Sequence, residues 1–178
     1  VVKVDPDNKL VWRHTRRRLE GEVIRDALLG ASGVMEQRMF GPGTLDEQHR
    51  RRSIYFTVKR SQLAPMMQVF DAPDALSSVG ERPSTTIAPQ ALMLLNNPAT
   101  RDWSRGFARR LIATYDNAGR PAELLIGDAF ILALGREPTE VEAADATAFM
   151  KKQAEMYWNN GQPSDAGDAA LADLCQIL

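Results

Sequence analysis

Cysteine is nearly missing from this chain of 178 residues: Cys175 is the only one. No disulfide can form within the chain, and no cysteine-based zinc site is available. Near the end of an apolar helical pattern, a lone cysteine reads as a small buried hydrophobe. Histidine is almost as scarce, with only His14 and His49, too few for most metal sites and near no serine or cysteine nucleophile motif. No apolar run approaches the roughly 20 residues that cross a bilayer as a helix. No signal peptide is expected within these residues, because Val1 leads at once into "KVDPDNK". The missing initiator methionine, and a last helical pattern that breaks off in "AALADLCQIL", predict a C-terminal fragment of a longer, multi-domain protein. Its residues 1–178 are expected to form a single helical domain.

What is present is ordinary for a globular protein: 44% hydrophobic and 25% charged residues exclude a disordered chain. Charge is unevenly placed. Residues 121–178 hold 10 acidic and 3 basic side chains, net −7, and the first 120 residues are net +6. Such asymmetry means either an anionic partner for the basic half or two halves that dock on each other.

Periodicity predicts a mostly α protein of about five to six helices, with one short extended or β segment near residues 53–58. A first helix is expected over 14–32: Leu19, Val23, Ile24, Ala27, Leu28 and Ala31 recur at helical spacing, and Gly33 stops it. Its polar face would carry Arg16, Arg17, Glu20, Arg25 and Asp26. "FGPGT" reads as a turn. Ile54, Phe56 and Val58 then alternate with polar residues, a strand pattern that assigns Phe56 to the core. This strand would pair with a stretch such as residues 1–4 or lie across helices. Thr86 can cap a helix through Asn96, and Asn97 with Pro98 starts the next, where Trp103, Phe107 and Leu111 line one face. Further helices are expected from Pro121 to Leu134 with Gly135 closing it, from the Thr139/Glu142 capping box to about Tyr157, and from Asp165 to Leu178.

Three features offer chemistry. Asp71 and Asp74 in "FDAPDA" can shape a turn, hold a hard cation, or act as an acid–base pair on a glycan. Calcium wants six to eight oxygens, and no surrounding loop supplies them. In "ERPSTTIAPQALMLLNN", Arg82 approaches a helix start bearing Thr86 and Gln90, a place suited to an anion or a sugar hydroxyl. The arginine runs at 16–18 and 50–52 suit nucleic acid, an anionic ligand or internal carboxylates. Arg16, Arg17 and Arg18 point in three directions of a helix, and no stacking aromatics or nucleic-acid motif accompany them. Guanidinium groups pair carboxylates bidentately, so Arg17, Glu20, Asp26, Arg51 and Arg52 are read as structural ion-pair residues, and no nucleic-acid partner is expected. No catalytic residue and no metal ligand is assigned.

Six phrases in order, "RRRLEGEVIRDALLGASG", "RRSIYFTVKR", "FDAPD", "RPSTTIAPQALMLLNNP", "FARRL" and "LALGREPTEVE", carry a resemblance. They resemble the C-terminal domain of unknown function of planctomycete proteins that often bear a cytochrome c-type haem domain upstream. The likeness runs from about Asp5 to Leu178. It implies an extracytoplasmic setting and a position beside upstream domains of the same protein. Haem would belong to those domains, since this chain lacks C-x-x-C-H. The combined expectation is a non-catalytic accessory or interaction domain. The alternatives are a polysaccharide-binding or glycan-processing module at Asp71 and Asp74, and nucleic-acid binding by the arginines. Partners would be the upstream domains, another exported protein or a polysaccharide.

Overall fold

The computed structural model describes residues 4–14, 17–59, 61, 63–73, 76, 78–114, 121–161 and 164–178. Among them run seven α-helices: α1 (Gly21–Ser32), α2 (Pro65–Val69), α3 (Ala88–Asn96), α4 (Pro98–Ala113), α5 (Ala122–Leu134), α6 (Glu140–Asn159) and α7 (Ala166–Ile177). The protein is mostly helical, and its described residues carry almost no β structure.

Helix α4 is the central wall. Pro98 needs no amide partner at the first helical position, and the Asn97 side chain accepts the Ala99 N–H at 2.8 Å. The four-residue spacing of Trp103, Phe107 and Leu111 puts them on one face, where they are 7%, 4% and 1% exposed. Phe107 and Leu111 pack with Ile126, Phe130, Leu171 and Leu174 of α5 and α7. Trp103, one turn earlier, packs instead with Leu29, Met66 and Phe70 of α1, α2 and the residue after α2. One helix thus serves two apolar clusters.

Other boundaries follow local chemistry. Gly135 closes α5 in the left-handed region at φ 69°, donating to the Ile131 carbonyl. Thr139 and Glu142 cap α6 reciprocally, and Arg136 grips the Glu142 carboxylate at 2.7 and 2.8 Å. These bonds hold the Glu142 carboxyl down at about 2.

Three expectations are corrected. Helix α1 begins at Gly21, not near His14, and Glu20 is extended at ψ 154°. Arg18 and Glu20 are drawn across to other elements, and a Cβ on Gly21 would lie 2.9 Å from Phe70 Cβ. Arg25, assigned to the polar face, is 1% exposed. The alternating stretch is a 3₁₀ turn at Ser53–Tyr55 followed by one isolated parallel bridge between Thr44 and Phe56. Ile54 and Val58 are 76% and 73% exposed and Phe56 is half-buried, because no second strand among the described residues covers that face.

Candidate functional site

The polar residues that the sequence singles out meet where the start of α1, the end of α2 and the start of α3 converge. Asp71 follows α2 in the left-handed region, φ 61°. Its carboxylate accepts the Thr85 backbone N–H at 2.8 Å and the Thr85 hydroxyl at 2.8 Å. Those two bonds, assisted by the nearby Arg18 and Arg82 charges, lower the Asp71 pKa. Asp74, its expected companion, lies outside the described residues.

Arg82 holds the seam together. Its guanidinium pairs bidentately with Glu22 at 3.2 and 2.9 Å and reaches Glu20 at 3.4 Å. It also donates to the backbone carbonyls of Asp71 at 2.9 Å and Phe70 at 3.3 Å. Arg18 donates to the Thr86 hydroxyl and to Gln90 Oε1, both at 2.6 Å. Thr86 therefore does not cap α3. Ile87 occupies the cap position, and its N–H goes to Gln90 Oε1 at 3.1 Å. Gln90 is 3% exposed, and its amide nitrogen donates to the Val69 and Thr85 carbonyls at 3.0 and 3.2 Å. A cleft of about 340 Å³ opens over this seam, with Arg17 exposed at its edge.

A second cluster surrounds the arginine run. Arg51 is buried, but no carboxylate among the described residues receives it. Its guanidinium donates to the carbonyls of Phe40 (2.5 Å), Pro42 (3.1 Å) and Arg38 (3.4 Å), and lies 3.4 Å over the Tyr55 ring. The loop wraps its own carbonyls around the cation, which corrects the expectation of an ion pair. Arg52 points outward and meets Asp26 at 3.4 Å, while Asp26 also accepts the Ser53 N–H at 2.6 Å. Arg25 enters from α1. It donates to the carbonyls of His49 and Arg51 and to the Ser53 hydroxyl, beneath the Phe56 ring at 4.8 Å. His49 Nδ1 accepts the Arg51 N–H at 3.2 Å, and its buried Nε2 has no partner among the described residues. Burial and the two guanidiniums lower the His49 pKa.

Sequence reasoning missed a third cluster. Arg101 on α4 binds Asp173 and Gln176 of α7 and the Tyr157 hydroxyl of α6. Gln176 then donates to the Leu95 carbonyl at the end of α3 at 2.8 Å. Its one legible trace is Asp173 and Gln176, three apart on a helix of otherwise apolar character. Among the described residues no three His, Cys, Asp or Glu side chains gather to hold a metal. The Cys175 thiol is buried and pushed up to about 12. No helix is long and apolar enough to cross a membrane.

Such a chain is a helical module with polar seams closed by its own arginines. Residues 1–150 match the family described as PSD1, protein of unknown function (DUF1553), and the chain belongs to that family. No curated protein and no solved structure matches it.

Proposed function

We propose that this chain is a non-catalytic accessory domain whose conspicuous polar residues brace the fold rather than engage a substrate. One observation supports the reading best. Asp71, Arg82, Thr86 and Gln90 come together, yet each is bonded to another residue of the chain. A substrate would have to displace charge-assisted bonds at each of them, and such bonds are about twice as strong as neutral ones. The resemblance to planctomycete proteins adds the setting: an exported protein with a cytochrome c-type domain upstream, against which this domain packs. Haem would reside in that upstream region.

The test separates bracing from binding. Arg82→Ala removes a side chain only 19% exposed, and is expected to lower stability by about 2 kcal/mol, the scale of hydrogen bonds to charged groups. The parent chain is expected neither to hydrolyse soluble glycans nor to be retarded by them in affinity electrophoresis. Retardation or hydrolysis that disappears in Asp71→Asn would assign the seam to a glycan instead.

A further inference from the structure

Helix α5 departs from the usual relation between composition and burial. A helix apolar on every side belongs inside a core, and in AELLIGDAFILAL only Glu123 and Asp128 are charged. Yet one side alone is covered. Ile126, Ala129 and Phe130 are buried in the cluster with α4 and α7, whereas Leu124, Ile131, Leu132 and Leu134 are 49%, 46%, 41% and 44% exposed. At roughly 100° per residue, these four fall in the half-circumference opposite Ile126 and Ala129, with the partly buried Asp128 among them. Single exposed leucines need no explanation, but four on one half of a helix do.

The unpaired charge that flanks the strip in sequence is acidic. Exposed Glu123 adjoins Leu124 at one end, and exposed Glu137 and Glu140 follow Leu134 at the other. None of these three is in an ion pair among the described residues, where Arg136 is engaged by Glu142. Nor does the basic half of the chain neutralise the acidic half. Among the described residues a single ion pair, Arg101 with Asp173, links residues 1–120 to residues 121–178.

We propose that the outer face of α5 docks an amphipathic helical segment of a partner polypeptide, apolar along its middle and basic at both ends. The inference rests on the accessory reading and names the surface and the chemistry that this reading requires. Leu124 to Leu134 spans about 15 Å of helix, so three turns of partner laid alongside would cover it. Lysine or arginine at the partner's ends would then face Glu123 and the Glu137/Glu140 pair, whereas acidic ends would be repelled.

Two synthetic helices of about 15 residues test this, sharing one leucine face, the first ended in lysines and the second in glutamates. The 178-residue chain is expected to bind the lysine-ended helix and to bind the glutamate-ended one at least about tenfold more weakly. Ile131→Asn and Leu134→Asn, at exposed positions that leave the helical spectrum intact, should each weaken the first complex about tenfold. Glu137→Gln with Glu140→Gln should narrow the gap between the two helices. Equal binding of both helices, or binding indifferent to the two Asn variants, overturns the proposal. So does concentration-dependent self-association in sedimentation that Ile131→Asn abolishes, since the face would then belong to a second copy. None of these failures touches the glycan and stability measurements on which the accessory reading stands.

Discussion

Arg51 and Arg52 are adjacent in sequence and opposite in circumstance. Arg51 is buried, its cation shared among three backbone carbonyls of the 38–42 loop; the Arg52 side chain is 63% exposed, against Asp26. Removing the first takes a buried, charged donor away from three loop carbonyls, and removing the second returns a surface pair to water. Arg51→Ala is therefore expected to cost about 2 to 4 kcal/mol and Arg52→Ala under about 1 kcal/mol. Denaturant midpoints measure both, and equal losses would refute the carbonyl clamp. His49 adds a pH dependence to the same loop. The groups facing it are Arg25 and Asp26 from α1 and Asp46 and Arg51 from its own loop. Its folded pKa lies below the unfolded value near 6.5, so the unfolded chain takes up a proton first as pH falls. Stability is then full above about pH 6.5 and declines as pH drops from there through the folded value. His49→Asn keeps an acceptor for the Arg51 N–H and cannot titrate. Thermal melts between about pH 7.5 and 5.5 should fall for the parent and flatten for this variant.

At the scale of elements, helices marked by their own caps were legible. Asn97–Pro98, Gly135 and the Thr139/Glu142 box lie at the boundaries of α4, α5 and α6, because capping is settled within four residues. The errors fall where distant groups decide. Residues 17–20 carry a helical pattern, but the bonds of Arg18 to Thr86 and Gln90 and of Glu20 to Arg82 hold them outside the helix. The 54–58 alternation fits a strand, yet a strand needs a neighbour, and among the described residues the backbone of 54–58 is bridged only to Thr44. The candidate site was legible as a set of residue types, Asp71, Arg82, Thr86 and Gln90. It was not legible as a seam, because the groups that bind them lie up to 72 positions away in the chain. The Arg101–Asp173–Tyr157 cluster was illegible as a cluster for the same reason, its only local trace being Asp173 and Gln176 on α7.

For the whole molecule, the question is whether the two apolar clusters are one cooperative unit. They meet on α4, where Trp103 belongs to one and Phe107, a single turn later, to the other. A helix cannot fray in its middle while both flanks remain packed, so loss of either cluster removes the wall on which the other rests. Gln176 and Arg101 add a polar tie from α7 across α4 to the end of α3. One unfolding transition is therefore expected, with far-UV circular dichroism and tryptophan fluorescence coincident in denaturant. With Trp12 and Trp158 replaced by Phe, the fluorescence comes from Trp103, which is 7% exposed and reports its own cluster. Phe107→Ala, which opens a cavity in the other cluster, should cost about 3 to 5 kcal/mol and shift both signals by the same amount. A variant whose circular dichroism midpoint moves while the Trp103 signal stays in place would divide the chain into two units that merely share a helix.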